Sequence, residues 1–101
     1  MARTNVADAM AARGFFREGT GGGCDAWAVY FADGSYIYVT EAQNPAAPTS
    51  WRGAVSVSVW RNVDATQESA DFTFPTLRAA LSSLDGWLAI AERVTPSWAT
   101  R

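Results

Sequence analysis

The sequence predicts a single α+β domain over residues 1–101, in which an N-terminal and a C-terminal helix pack on an antiparallel sheet of four to five strands. Three observations lead to this prediction. Apolar residues recur at helical spacing near both ends of the chain, an Asp33-Gly34 pair separates two strand-like segments, and residues 53–61 alternate between apolar and polar. One core can stabilise a chain of this length, and residues 95–101 are expected to form a flexible tail.

The first helix is predicted over about residues 5–13. Asn5 or Thr4 can supply its N-cap, and Asp8 would lie in the first turn, where the helix dipole favours negative charge. Gly14 stands where a left-handed residue commonly ends a helix, so the chain is expected to turn there.

The C-terminal helix is the clearest element of the sequence. Thr76 can cap it, and its apolar residues recur at spacings of four and three. Gly86 lowers helix propensity by about 1 kcal/mol but leaves the phase of the stripe unchanged. We therefore favour one helix over 77–93, the alternative being two helices broken at Gly86. The stripe consists of Leu77, Leu81, Leu84, Leu88 and Ala91.

Two strands are predicted on either side of Asp33-Gly34, which is a typical two-residue hairpin turn. Such a turn would place Phe31 opposite Tyr36 and give the hairpin one aromatic face and one mostly small, aliphatic face. The aromatic face would hold Trp27, Val29, Phe31, Tyr36 and Tyr38, and the other face Ala26, Ala28, Tyr30, Ile37 and Val39.

The other segments are assigned by the same criteria. Residues 15–19 are expected to form a short edge strand, and residues 41–52, which contain two prolines, a loop. In residues 53–61 three valines point to one side, and two serines and Trp60 point to the other. Residues 62–71 are polar and acidic, so we expect a loop there, followed by a short strand.

The residue inventory excludes most catalytic chemistry. The chain has no histidine and no lysine, and Cys24 is its one cysteine. These absences remove Ser–His and Cys–His pairs, lysine Schiff bases, the P-loop lysine and zinc sites built from sulfur and imidazole. Paired carboxylates could still hydrolyse a glycosidic bond, but the ten acidic residues form no pair by pattern. We predict that the protein is not an enzyme and has no catalytic residue, metal or cofactor.

Charge and hydropathy restrict the partners and the location. Eight arginines against ten acids give a net charge of −2, which disfavours direct nucleic-acid binding through phosphate contacts. No apolar run approaches the ~18–20 residues of a membrane span, so no membrane association is expected. One cysteine cannot form an internal disulfide, which favours a reducing cytoplasm.

The segment TGGGCDAW, residues 20–27, admits three interpretations. A phosphate cradle would require a helix after the glycines, but the residues after Gly23 alternate as a strand. A reactive Cys24 could use Arg17 as its cation, but the chain offers no histidine as a base. We therefore predict a hairpin connection in which the glycines adopt positive φ values.

Three motifs resemble a class of small phage and prophage proteins. The matching segments are GFFREGTGGGCDAW, DGSYIYVT and FPTLRAAL, which fall within residues 13–40 and 74–81. Residues 41–73 have no counterpart in that class. The resemblance implies a phage source and no particular reaction, because the shared motifs are those of a hairpin and a capped helix.

Binding to another protein is the function that the sequence favours. Five tryptophans, three tyrosines and five phenylalanines are a surplus of residue types that are common at protein interfaces. With a phage source, the partner would be a host protein or complex, for instance a defence system such as CRISPR. Acidic residues could then face a basic surface that normally binds nucleic acid. The predicted partner-binding residues are Trp51, Arg52, Trp60, Arg61, Tyr36, Tyr38, Asp64, Glu68 and Asp71.

Other interpretations of the same residues stay open. The aromatic residues could fill the core, and the acidic residues could belong to a solvated loop. A small-ligand or nucleotide binder could stack a base on the aromatic hairpin face. A homodimer or a self-assembling structural phage protein could bury that face or the edge strand of residues 15–19.

Overall fold

The structure is a computed structural model that describes residues 4–63, 66–89 and 93–94. The predicted α+β class is confirmed, with a helix near each end and an antiparallel sheet between them. The expected tail over 95–101, together with Asp64 and Ala91, lies outside the described residues. The elements are α1 (Val6–Ala12), β1 (Phe16–Gly21), β2 (Cys24–Phe31), β3 (Tyr36–Glu41), β4 (Val55–Val63), β5 (Thr66–Phe74), α2 (Leu77–Leu88) and β6 (Arg93–Val94).

The strands form one antiparallel sheet in the order β1-β2-β3-β4-β5. Each of these strands pairs with its neighbours in the chain, so the connections are hairpins and one longer loop. The two-residue strand β6 pairs with Tyr30 and Phe31 of β2, beyond the point where β1 pairs with Ala28. β2 therefore has β3 on one side and both β1 and β6 on the other.

Both helices pack on one face of the sheet and form the core with it. Arg13, which follows α1, donates to both carboxylate oxygens of Asp85 in α2, at 2.7 and 3.0 Å. No helix in the described ranges is long and apolar enough to cross a membrane. The sheet contributes Trp27, Val29, Phe31, Ile37, Val39, Val55 and Val57 to the core, and the helices contribute Val6, Met10, Leu77, Ala80, Leu81, Leu84 and Leu88.

The helix caps are those that the sequence predicts. The side chain of Asn5 caps α1 and that of Thr76 caps α2, each accepting a hydrogen bond from the backbone three residues on. Gly14 has a φ of 91°, and the N–H of Phe15 donates to the carbonyl of Met10 at 3.0 Å. This is the hydrogen bond of a Schellman end, which turns Phe15 into the core.

Helix α2 is shorter than predicted. It passes Gly86 without a break, so one helix is confirmed up to that point. It ends at Leu88, and residues 93–94 are extended and pair with β2 instead of continuing the helix. The apolar residues keep their helical spacing through residue 91, which is why the sequence predicted a longer helix. Residues 93–94 are extended because they pair with the edge of β2, and helical spacing in the sequence contains no signal for that pairing.

The triple glycine is a hairpin turn, as predicted. Gly21 pairs with Cys24, which leaves Gly22 and Gly23 as the two central residues. Their φ values are 62° and 83°, and two positive values are the signature of the hairpin turn that matches strand twist.

The turn of the β2–β3 hairpin is one residue longer than predicted. Tyr30, not Phe31, lies opposite Tyr36. The N–H of Phe31 donates to the carbonyl of Ser35 at 2.9 Å, which encloses a three-residue loop. Gly34 ends this loop with a φ of 89°, the left-handed residue that three-residue hairpin loops require.

This change of register corrects the predicted faces of β3. Because side chains alternate along a strand, a shift of one residue exchanges the two faces. Ile37 and Val39 are fully buried in the core beside Trp27 and Val29, and Tyr36 and Tyr38 lie on the opposite face.

The prediction of a loop over residues 62–71 is wrong. β4 extends to Val63 and β5 begins at Thr66, and the two strands pair without interruption from Val55↔Phe74 to Val63↔Thr66. Residues 66–73 of β5 are all exposed. An edge strand with two solvated faces has the composition of a loop, which is why polarity was a misleading signal here.

Two glycine substitutions should change stability in opposite directions. Gly34→Ala places a side chain in the left-handed region and should lower the free energy of unfolding by about 1 kcal/mol. Gly86→Ala lies in α2, where an added methyl group meets open space, and should raise that free energy by about 0.5–1 kcal/mol. Urea denaturation followed by circular dichroism measures both. A stabilising Gly34→Ala would contradict the left-handed turn.

Candidate functional site

Four aromatic rings from four strands form a row on the sheet face opposite the helices. They belong to Phe16 of β1, Tyr30 of β2, Tyr36 of β3 and Trp60 of β4. The ring centroids are 5.9 Å apart from Phe16 to Tyr30, 5.1 Å from Tyr30 to Tyr36 and 5.8 Å from Tyr36 to Trp60. We call these four residues the aromatic row. Their rings are stacked, with interplanar angles of 14°, 24° and 14°.

The strand register produces this row. Tyr36 lies directly opposite Tyr30 on one side and Trp60 on the other. Phe16 pairs with Ala28 and reaches Tyr30 diagonally across that small residue. All four aromatic residues are partly buried, so each keeps some surface in contact with solvent.

Glu18 forms a hydrogen-bonded cluster beside the row with two tyrosines. The hydroxyl of Tyr30 donates to one carboxylate oxygen of Glu18 at 2.7 Å, and the hydroxyl of Tyr38 donates to the other. The two hydroxyl oxygens are 3.2 Å apart. Burial, together with the hydrogen bond to Glu18, raises the pKa of Tyr38 to about 12. Burial, followed by the bonds to Tyr38 and Glu18, also raises the pKa of Tyr30 well above its ordinary value. Both phenols are therefore protonated donors at neutral pH.

The charge on this face is negative. Along β1 to β5, the described positions that share the face carry two carboxylates, Glu18 and Asp71, and no arginine. Most other described residues of this face are small or hydroxylated, among them Ala26, Ala28, Thr40, Ser56, Ser58, Ser69 and Thr73.

Trp60 is held in the row by packing rather than by a polar bond. Its Nε1 is buried and has no hydrogen-bond partner among the described residues. An unpaired buried donor costs about 1–3 kcal/mol, and stacked rings contribute about 0.5–1.5 kcal/mol beyond their burial. The stacking on Tyr36 therefore offsets part of that cost.

The structure brings together four of the nine predicted partner-binding residues. Tyr36, Tyr38, Trp60 and Asp71 share the face of the aromatic row. The structure does not describe Asp64.

The other predicted residues lie elsewhere. Arg61 and Glu68 lie opposite each other in the β4–β5 ladder, on the other face of that hairpin. Arg52 is exposed in the loop between β3 and β4. Trp51, in the same loop, is largely used in the fold. Its Nε1 donates to the carbonyl of Thr4 at 3.0 Å, and the guanidinium of Arg78 lies 5.1 Å from its ring centroid.

The sequence prediction missed Phe16, Glu18 and Tyr30 as members of this face. Phe16 and Glu18 lie in the edge strand that was correctly predicted, but the partner of that strand could not be read from the sequence. Tyr30 was correctly placed on the face of Ala26 and Ala28, but the one-residue error in register put Tyr36 and Tyr38 on the other face. A preference for a three-residue loop ending at Gly34 would have placed both tyrosines beside Tyr30.

Asp25, the residue that follows Cys24, connects two parts of the fold. Asp25 accepts hydrogen bonds from the N–H of Ala47 at 2.8 Å and from the guanidinium of Arg17, and its own N–H donates to Pro45. The bond from Ala47, followed by that from Arg17, holds the pKa of Asp25 below its ordinary value of 3.8. Asp25 thus anchors the loop between β3 and β4 to the start of β2. Among the described residues, no three His, Cys, Asp or Glu side chains lie close enough to hold a metal ion.

Replacing Asp25 should therefore loosen the loop. Asp25→Ala leaves the N–H of Ala47 without its acceptor and should lower the free energy of unfolding by about 1 kcal/mol, a value reduced because the side chain is 25% exposed. Because the carboxyl pKa is lowered in the fold, this contribution is present above about pH 4 and is lost as the pH falls below it.

Asp25→Asn is the matched variant, since its amide oxygen can still accept from Ala47 while the charge is lost. Urea denaturation at pH 7 and pH 3 measures the difference. An Asp25→Ala variant as stable as the wild type at pH 7 would contradict the anchoring role.

Comparison with protein-family models, curated proteins and solved structures finds no match to this chain. The aromatic row and its surroundings are therefore the features of this chain that bear on function.

Proposed function

We propose that this protein acts without catalysis, by binding another protein through the aromatic row. The observation that supports this most directly is the row itself: four stacked rings cross the sheet on the face opposite both helices. Ordered aromatic rings provide a large contact area at little cost in conformational entropy, which is why tyrosine and tryptophan are frequent at binding hot spots.

The charge of the face favours a basic partner surface. Glu18 and Asp71 lie beside the rings, and the described positions of the face carry no arginine. The phosphates of a nucleic acid would be repelled by these carboxylates, and the described positions of the face offer no cation to bind them. Stacking of bases on the rings would alone have to overcome this repulsion. A protein surface with arginine or lysine would instead gain ion pairs at the rim and cation–π contacts with the rings.

The phage resemblance, as a hypothesis, suggests where such a partner would be found. A phage accessory protein would act in the cytoplasm of its bacterial host, on a host protein or complex. Defence complexes such as CRISPR effectors hold nucleic acid on basic surfaces, and an acidic, aromatic face is suited to covering such a surface. Inhibition of a host defence system is therefore the specific form of the proposal.

The test begins with the tagged full chain captured on host lysate and continues with the purified partner. Tyr36→Ala and Trp60→Ala should each weaken the measured affinity about tenfold or more, because each removes one ring from the middle or the end of the row. Trp60→Phe keeps a ring and should retain most of the affinity. Arg52→Ala, in the exposed loop, is the matched control and should bind as the wild type does.

Salt and nucleic acid distinguish the alternatives. Added salt should weaken the protein complex, and Asp71→Asn should reduce that salt dependence. A partner that is lost with Arg52→Ala and retained with Tyr36→Ala would refute the role of the aromatic row. Quenching of tryptophan fluorescence by an oligonucleotide, abolished in Tyr36→Ala, would favour the nucleotide-binding alternative instead.

A further inference from the structure

The outer edge of β5 is a second surface, separate from the aromatic row. β5 is the last strand in the order of the sheet, and it is paired with β4 on one side only among the described residues. Residues 66–73 are all exposed, and Phe72 is 52% exposed. We propose that two copies of the chain pair along this edge, with β5 antiparallel to β5 of the second copy.

The β5 edge lacks most of the features that normally protect an edge strand from pairing. Proline, lysine and other charged side chains, a bulge or a very short strand are the common protective devices, and of these β5 has only its two carboxylates, Glu68 and Asp71. β5 has nine residues, contains neither proline nor lysine, and pairs with β4 without a shift in register. The opposite edge differs, because β1 has six residues and an irregularity between Gly19 and Gly21.

The sequence of β5 favours one register of self-pairing. In an antiparallel pair across a two-fold axis perpendicular to the sheet, opposite side chains must lie on the same face. The register centred on Ala70 pairs all nine residues from Thr66 to Phe74. Moving the centre to Asp71 would place two carboxylates directly opposite each other, which is unfavourable.

The Ala70-centred register also avoids directly opposed carboxylates and places Phe72 beside a long side chain. Phe72 would lie opposite Glu68 of the second copy, and Glu68 lies directly opposite Arg61 of β4 in the strand ladder. Phe72 would then cover the stem of Glu68 and lie within reach of the guanidinium of Arg61, a cation–π contact. On the other face, the hydroxyl of Ser69 would donate to the carboxylate of Asp71. The exposed ring of Phe72 therefore gains a partner.

The paired edges would join two sheets into one, with the helices of both copies on the same side. The two aromatic rows would then face the same way, so the dimer could present two equivalent binding faces to a symmetric or repeated partner. The pairing itself does not depend on the proposed function of the aromatic row.

Cysteine crosslinking tests the register directly. In the full chain with Cys24→Ser, Ala70→Cys should form a disulfide-linked dimer under mild oxidation, because the two side chains would be directly opposite. Thr66→Cys is the matched control. It lies opposite Phe74 of the second copy, so the two cysteines would be about 27 Å apart at 3.4 Å per residue and should not crosslink.

Sedimentation equilibrium tests the association without crosslinking. The wild-type chain of 10.9 kDa should show a concentration-dependent doubling of mass. Ala70→Lys should weaken this association at least about tenfold by placing two cations in contact, whereas Arg52→Ala should leave it unchanged. A wild-type monomer at every concentration, or equal crosslinking of Ala70→Cys and Thr66→Cys, would overturn the proposal, whatever the outcome at the aromatic row.

Discussion

Ile37→Ala is expected to lower the free energy of unfolding by about 3 kcal/mol, within the range of about 2–5 kcal/mol found for such truncations in cores. Ile37 is 0% exposed and lies between Val29 of β2 and Val59 of β4, at the centre of the helix-covered face. Its truncation leaves a cavity that the neighbouring strands cannot close without breaking their ladders. For a domain of this size the loss is a large part of the total stability.

Two further variants make this prediction specific to the observed register. Ile37→Val removes one methyl group and should cost about 0.5–1.5 kcal/mol. Ser58→Ala, on the opposite face, should change stability by less than about 0.5 kcal/mol. Thermal and urea denaturation would measure all three. If Ile37→Ala lowers the free energy of unfolding by less than the loss expected for Ile37→Val, then Ile37 is not in the core. The register with Phe31 opposite Tyr36 would then be the correct one.

The register of this hairpin shows what the sequence could and could not provide. The strands on both sides of Asp33-Gly34 are evident from their composition, and both are correct. The length of the turn is not evident, because a glycine with positive φ suits the second position of a two-residue turn and the third position of a three-residue loop equally well. The packing of Ile37 and Val39 under the helices decides between them, and this contact is distant in the chain.

Three of the four helix ends were predictable because their signals are local. Asn5, Thr76 and Gly14 act on backbone groups within a few residues, so local sequence contains the whole signal. The end of α2 and the strand β5 were not predictable in this way. In both cases a pairing with a distant strand, β2 or β4, overrides what the local polarity or period indicates.

The candidate site also combines features that are visible in the local sequence with features that depend on distant strand pairing. The surplus of aromatic residues and the absence of histidine and lysine direct attention to Tyr36, Tyr38 and Trp60 as candidates for binding. Their assembly with Phe16 and Tyr30 depends on the registers of three strand pairs, and no single segment of the sequence contains that information. Trp51 shows that a contact within the fold can also be hidden from the sequence, since this tryptophan of a proline-containing loop is hydrogen-bonded to Thr4, just before α1.

A loss of stability at high pH is the second large effect that we expect. Burial and the bond to Glu18 raise the pKa of Tyr38 to about 12, whereas a tyrosine in the unfolded chain ionises near 10. The native state therefore keeps a proton that the unfolded chain has lost. The resulting stabilisation is complete below about pH 10 and is lost as the pH rises from 10 to 12. Because Tyr38 is partly exposed, we expect a loss on the order of 2 kcal/mol.

Tyr38→Phe should make this decline shallower, because the variant has no proton to lose at that position. At pH 7 the same variant should be about 1 kcal/mol less stable than the wild type, since the hydrogen bond to Glu18 is absent. Glu18→Gln removes the charge that opposes ionisation of Tyr38 and should also flatten the decline, whereas Ser58→Ala should retain it.

Urea denaturation at intervals between pH 9 and pH 12, followed by circular dichroism, gives the slope of stability against pH for each chain. An unchanged slope in both Tyr38→Phe and Glu18→Gln would show that the Glu18 cluster does not control the alkaline stability of the fold. The same cluster positions Tyr38 beside Tyr36, at 5.2 Å between ring centroids, so a confirmed slope would support a Glu18 cluster that is already formed next to the aromatic row before any partner binds.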